Sequence, residues 1–542
     1  MAYWTPLLYT LLLTTTPVAT SYQCLNLMRK GQTTKVFELL ASSDEVSDDV
    51  IQLVADTLLR SGLSSKNPDI QLAALFGASL SQSSDLVHYA SFGLQSSSPE
   101  VQLAALSLLA SGNQREAEQF LKQALLSDFL LIRLESLWLM SSLRMASAYD
   151  QLEALYAKLP DEVRAVLLPL FAQEASSRSQ DFLSHVLRSS SRELQAPALY
   201  ALATIPTREK SPLSNPPFLD PLTLESFLAY ATTHKDSVPT ETIEEYTKHS
   251  NEYVRIAALN VLAQNNFAYQ EKLEALNNPF ALSLLGELPL SDKSSLYKAI
   301  KHPDEDIRIN AALALLSHKR VESLPVILEI LKSHSEDSCL VPNHSPGGTM
   351  CIWLTTPKLS IEGDNLLYAQ EQSLRFREQV LASSLSLPEK QFLQVADCVA
   401  QSAPDLIPLL SNLLENKNSE QAKEWLKKTY QETSSQLMHL YAAKSLVLLR
   451  EDGPWNKALI DWLESEKGLQ LFRPRPLLPW FAQPEPKLQE LTFDERTRLS
   501  IEAISALIES DEPCCQKLIL SWMKETDLKT QLLLAGLLMN HQ

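Results

Sequence analysis

An all-α chain of stacked antiparallel helix pairs, a right-handed α-solenoid, is what this sequence predicts, and three observations predict it. "NPDIQLAALFGASL" at residues 67–80 returns as "SPEVQLAALSLLAS" at 98–111, one helix-pair length later. Only 12 of 542 residues are Gly, against a usual share of roughly 7%, which disfavours tight-turned β folds and Gly-rich nucleotide loops. At 542 residues the chain exceeds one compact core, so it needs several domains or a repeat array.

The repeat hangs on one polar anchor. Gln71, Gln102, Arg133, Arg164 and Gln195 follow one another at intervals of 31 residues. Arg255 comes 60 residues later and Arg308 a further 53. Leu75, Leu106, Leu137, Leu168, Leu199 and Leu259 lie four past their anchors, and a small residue such as Ala74, Ala105 or Ser136 lies three past. Positions three and four apart share a helix face, so a small residue and a Leu recur on one buried stripe. Asp69, Glu100, Glu162, Glu193 and Asp306 stand two before the anchor, in a first turn where negative charge suits the helix dipole. Pro68, Pro99, Pro160 and Pro303 mark helix starts, where a missing N–H costs little. Two helices of about 12 residues and two turns fill a 31-residue unit that must stack on neighbours to bury its apolar face.

This pattern of acidic residue, apolar residue, Arg or Gln, then Ala-rich helix resembles HEAT repeats, and its short period is similar to the HEAT-like repeats of phycobilisome-lyase proteins. The resemblance covers residues 67–205 well and 251–318 fairly. After 370, "LMHLYAAKSLVLLRE", "ERTRLSIEAISALIES" and "LKTQLLLAGLLMNH" keep only the flavour of the second helix. It implies a binding scaffold with no catalytic residue of its own. Several copies carry Gln where the family favours Arg, so its Asp–Arg ladder is incomplete.

The chain divides into residues 1–21, 22–333, 334–373 and 374–542, the most regular repeats lying at 60–205. Before the first charged residue, Arg29, an apolar stretch from Pro6 to Ala19 precedes "ATS" and Tyr22. That suits a secretory signal ending near residue 21, with a periplasmic, envelope or secreted destination. The alternative is an apolar first helix capping the array of a cytoplasmic protein. No later stretch has about 18 uninterrupted apolar residues, so no transmembrane segment is expected.

Three interruptions leave the repeat. "PTREKSPLSNPPFLDP" at 206–221 must run extended because of its prolines. Residues 334–373 form a long loop with room for a small β-hairpin within "TMCIWLTTPKLSIEG". His334, Cys339, His344 and Cys351 in that loop match none of the usual zinc spacings, and in an oxidising compartment Cys339 and Cys351 are candidates for a disulfide. "FRPRPLLPWFAQPEPK" at 472–487 is a Pro-rich strap. Trp353, Arg473, Arg475, Trp480 and Phe481, in the loop and the strap, are candidate partner-binding residues.

Chemistry is absent at the level of motifs. The His, Cys and Gly residues show no zinc, nucleophile-elbow or nucleotide-loop pattern, so no cofactor, metal or enzymatic activity is expected. Sixty-five acidic against 47 basic residues leave a net charge of −18, which argues against nucleic acid and for a basic or neutral protein partner. The seven anchors are read as structural, near the inter-repeat turns. The function expected is a non-catalytic protein-binding scaffold, more readily monomer than homo-oligomer. Two alternatives stand beside it: a lyase-like chromophore- or ligand-binding protein using residues 277–373, and a structural protein assembling with itself through its apolar C-terminal repeat.

Overall fold

A computed structural model describes residues 16–42, 47–112, 114–189, 191–205, 215–216, 219–234, 238–264, 266–289, 293–332, 338–342, 351–355, 364–472 and 491–540. Helices dominate. In chain order they are α1 Thr16–Arg29, α2 Thr33–Ser42, α3 Asp48–Leu63, α4 Pro68–Leu80, α5 Leu86–Leu94, α6 Pro99–Ala110, α7 Gln114–Ala124 and α8 Leu130–Ser142. Next come α9 Ala148–Tyr156, α10 Asp161–Glu174, α11 Ser177–Ser189, α12 Arg192–Ala203, α13 Pro221–Thr233, α14 Thr240–Tyr246, α15 Glu252–Ala263 and α16 Phe267–Ala275. Then follow α17 Pro279–Leu285, α18 Ser294–Ala299, α19 Glu305–Ser317, α20 Leu324–Lys332, α21 Asp364–Ser384, α22 Glu389–Ser402 and α23 Ile407–Lys417. The last six are α24 Glu420–Glu432, α25 Gln436–Leu448, α26 Trp455–Ser465, α27 Phe493–Glu509, α28 Cys515–Glu525 and α29 Leu528–Asn540.

The helix starts follow from local chemistry. Asn67 accepts from the Asp69 N–H at 2.9 Å with Pro68 at the first helical position, so one orphan donor is met and another is missing by design. Ser98 before Pro99, Asp220 before Pro221, and Asn278 before Pro279 repeat the device. Thr492 and Glu495 close a capping box at the start of α27. α4, α6, α8, α10 and α12 start at residues 68, 99, 130, 161 and 192, each 31 after the last.

The core is the recurring stripe. Ala74 and Leu75, Ala105 and Leu106, Ser136 and Leu137, Leu167 and Leu168, Ala198 and Leu199 are all buried. Each buried Leu contributes about 1.5–3 kcal/mol relative to an exposed one. Ala442 and Ala443 in α25, and Leu534 and Ala535 in α29, hold the same positions.

Two compact units result. One holds residues 1–139 and 426–542, the other residues 140–425. In the first, α1 packs on α2 and α3, and it runs unbroken through the expected cleavage point at Tyr22, with Cys24 fully buried. The apolar C-terminal helix α29, on which the self-assembly reading rested, is buried against α3 and α4 of the same chain. In the second unit, Ala281, Leu282, Leu285, Leu296, Ala299 and Leu315 form a packed apolar cluster across α17, α18 and α19.

The inserted loop contributes one antiparallel pair, β1 Ser338–Pro342 with β2 Cys351–Thr355. The partner of the "CIWLT" strand is "SCLVP" upstream; "PKLSIEG" downstream lies outside the described residues. The register sets Cys339 opposite Leu354 and Cys351 opposite Pro342. The two cysteines are therefore three positions apart along the ladder rather than facing.

Candidate functional site: turn-closing anchors and an exposed apolar row

Every anchor is the fourth residue of its helix, and that position explains its work. The last carbonyls of the preceding helix have no intrahelical partner, and a side chain one turn into the next helix reaches back to them. Gln71 donates Nε2–H to the Leu63 carbonyl at 3.2 Å, and Gln102 donates to the Ser96 carbonyl at 2.6 Å. Gln195 donates to the Leu187 carbonyl at 3.4 Å. Arg164 reaches the Tyr156 and Ala157 carbonyls at 2.9 and 3.4 Å and pairs with Asp161 at 2.9 Å. Arg255 donates to the His249 and Ser250 carbonyls, each at 2.9 Å. Arg308 differs: its Nη2 pairs with Glu329 at 2.9 Å on α20. Arg133 has a buried Nε with no hydrogen-bond partner.

The glutamines do more than close one turn. Ser96 donates its hydroxyl to Gln71 Oε1 at 2.8 Å, and Ser127 donates to Gln102 Oε1 at 2.8 Å. Ser96 thereby links Gln71 in its own turn to Gln102 in the next, and the relay passes through three repeats. Ser65, Ser96 and Ser127 also accept from the backbone N–H two residues on, at 3.1, 3.2 and 3.3 Å. These serines stand six before their anchors, a recurrence legible at the same period of 31 but hidden because Ser is common in turns. Lys158 follows in that position, and the relay stops.

Two further turn closers sit in the C-terminal third. Gln531, the fourth residue of α29, donates to the Met523 and Thr526 carbonyls at 2.8 and 3.2 Å. His439, the fourth residue of α25, bonds the Tyr430 carbonyl through Nδ1 at 2.9 Å and stacks on the Tyr430 ring at 4.0 Å. "QLLLAG" at 531–536 against "QLAALFG" at 71–77 was the available signal.

The anchors are structural; what they expose is a different set. Five residues past the anchor stand Phe76, Ser107 and Trp138 on α4, α6 and α8. Phe76 is 45% exposed and Trp138 is 43% exposed, with Ser107 exposed between them. The Ser96–Gln71 and Ser127–Gln102 bonds recur one period apart, and Phe76, Ser107 and Trp138 make one row in repeat register. At the start of α8, Leu126 and Phe129 in the preceding turn and Leu131 in the first helical turn are all exposed, Leu126 at 84%; other repeats carry Ser, Asn or Pro at the position of Phe129 and Asp or Glu at that of Leu131. A contiguous exposed apolar patch, unlike single scattered residues, marks an interaction site. Acidic groups border the row: Asp128 is exposed, Glu135 is partly so, and Glu100 is held below the usual carboxylate range by its Ser98 hydrogen bond.

The remaining expected residues carry less. Trp353 lies opposite Leu340 in the β1–β2 register. Arg473, Arg475, Trp480 and Phe481 lie outside the described residues, as do His334 and His344. Among the described residues no group of three or more His, Cys, Asp or Glu is placed to hold a metal, and no helix is long and apolar enough to cross a membrane. Cys515 is buried, which pushes its thiol up to about 12, the behaviour of a packed rather than a reactive cysteine.

The fold is an all-α stack of helix pairs within each unit, and its turn closers resemble those of HEAT-like repeats. No family model matches the chain and no curated protein matches it. Among solved structures it is similar to a homology model of the full-length AP-3 complex in an intermediate open conformation, at 12% identity over 90% of each chain and a TM-score of 0.26. It is also similar to a structure of Kap95p binding to RanGDP, at 11% identity over 91% of this chain and 78% of that one, with a TM-score of 0.30. An engineered protein matches at 14% identity over 89% of this chain and 98% of its own, with a TM-score of 0.16. At these TM-scores the likenesses carry no functional argument.

Proposed function

We propose that this protein is a non-catalytic scaffold that binds a polypeptide partner through the apolar row of its first unit. The observation that carries the reading is the exposure of Phe76 and Trp138 at one repeat position, joined by Leu126, Phe129 and Leu131 around the start of α8. Aromatic anchors with two rotatable bonds give large contact area at small entropic cost, which is why they dominate binding hot spots. Charge selects the partner. With a net charge of −18 and Asp128, Glu100 and Glu135 around the row, the fitting ligand is a segment that places apolar side chains among basic ones. We read the protein as a monomer in this role, since its apolar last helix is covered by its own first repeats.

Selection of peptides from a random display library tests this. The wild-type protein should enrich cationic peptides with Leu, Phe or Trp, released by salt, and Phe76→Ser/Trp138→Ser should enrich none of them. Enrichment of acidic sequences, or enrichment indifferent to the double substitution, would refute the proposal.

For location we propose export, resting on the apolar stretch from Pro6 to Ala19 and the small residues before Tyr22. The intact mass of the protein purified from its own cell tests it. A chain starting near Tyr22 supports export, and one retaining Met1 refutes it.

A further inference from the structure

The last described helix is enclosed on every side along most of its length. Residues from Thr530 to Leu538 in α29 are buried throughout, as befits a helix enclosed by neighbours. Its neighbours include α3 and α4, some 460 residues earlier, while α28 packs on α2. The fit is close. A Cβ on Gly536 would stand 1.8 Å from the Gly77 carbonyl oxygen, and one on Gly77 would stand 2.2 Å from the Leu532 carbonyl oxygen. Bare backbone of α4 thus lies on bare backbone of α29. The side chain of Leu532 fills a notch, for a Cβ on Gly62 would lie 2.7 Å from its Cδ2. Polar contacts frame the seam: Lys529 Nζ to Asp69 Oδ2 at 3.2 Å, and Gln516 Nε2 to Asp48 Oδ1 at 2.9 Å.

In a repeat array each helix pair is held by its neighbours, and end repeats ordinarily fray because they have a neighbour on one side only. Here the first anchored repeat has a neighbour on both sides. We propose that the last helix pair is a clasp belonging to the folding unit of the first repeats: α3 and α4 open and close together with α29, and they do not keep their fold when α29 is released. The clasp holds rigid the helix that carries Phe76, because α4 presents Gly77 to α29 and Phe76 to solvent.

Hydrogen exchange on the full chain tests this, with mass spectrometry reading each helix separately. Leu532→Ala empties the notch and leaves the backbone crossing intact. It should speed exchange roughly tenfold or more in α29 and by the same factor in α3 and α4, leaving α19, α20 and α22 of the other unit unchanged. Gly536→Val, which cannot be accommodated at the crossing, should expose α3, α4 and α29 together. Faster exchange in α29 with α3 and α4 still protected would overturn the clasp and make α29 an ordinary fraying end. Equal acceleration in α19, α20 and α22 would overturn the assignment to the first repeats. Lys529→Ala, a change at the partly exposed seam, should shift α3, α4 and α29 in the same sense but less.

Discussion

Two sets of turns in this molecule solve one problem with different chemistry. At residues 63–71 and 96–102 the closing side chain is a glutamine, 9% and 8% exposed, whose carbonyl is engaged by a serine of the next repeat. At residues 156–164 and 249–255 it is an arginine, and the Arg164 side chain keeps 30% of its surface in water. A buried guanidinium would need an ionic partner and full hydrogen bonding to offset desolvation, whereas an amide needs only its own hydrogen bonds. Residue choice at the anchor therefore reports how deeply the turn is enclosed. The Gln side chains are the more deeply enclosed of the two sets.

The difference predicts unequal costs. Gln102→Leu leaves the Ser96 carbonyl without its donor and the Ser127 hydroxyl without its acceptor, and should cost about 2 kcal/mol. Arg164→Leu leaves carbonyls that water can reach and should cost about 1 kcal/mol or less. Urea unfolding of each variant, followed by hydrogen exchange in α6 and α10, measures both. Equal costs would mean that enclosure does not decide the anchor residue. In a swap, Arg164→Gln should be nearly neutral, while Gln102→Arg should be as damaging as Gln102→Leu.

A third closer titrates, and its effect should be the smallest. His318 bonds the Leu285 carbonyl through Nε2 at 3.0 Å; a carbonyl only accepts, so Nε2 carries the proton. Burial holds this imidazole below its ordinary value, as it does the buried His234 in the same unit. The folded state therefore binds fewer protons than the unfolded one in the window below about pH 6.5. Stability from these groups is complete above that pH and falls as pH drops through the folded value. Thermal unfolding at pH 7.5 and 5.5 should show this loss in residues 140–425, and His318→Gln should reduce it. A turn closed by Gln should show no such dependence.

The repeat was readable because it is local and periodic. Pro68, Pro99 and the acidic first-turn residues announce helix starts, and a Leu four past each anchor announces the buried face. The job of the anchors was not readable. Gln71 and Arg164 look alike only once the carbonyls they close, eight residues back, are seen. The serine relay was present in the sequence as Ser65, Ser96 and Ser127, but a Ser in a turn carries almost no information alone. His439 and Gln531 were missed because their spacing had lost the regular period. The candidate surface was least legible. Phe76 and Trp138 sit among Leu and Ala in helices that are buried on most sides, and only the packing decides which large residue faces out. The Pro-rich strap and the loop cysteines drew attention by composition. The row on α4, α6 and α8 had no such mark.

Residues that hold the stack and residues that face a partner are separate sets. This separation is tested most directly by titration calorimetry of one selected cationic, apolar peptide against the wild-type protein and Phe76→Ser/Trp138→Ser, with melting temperature measured alongside. The expected result is a Kd weakened at least about tenfold with an unchanged melting temperature. An unchanged Kd would contradict the separation, as would a loss of affinity matched by a loss of stability.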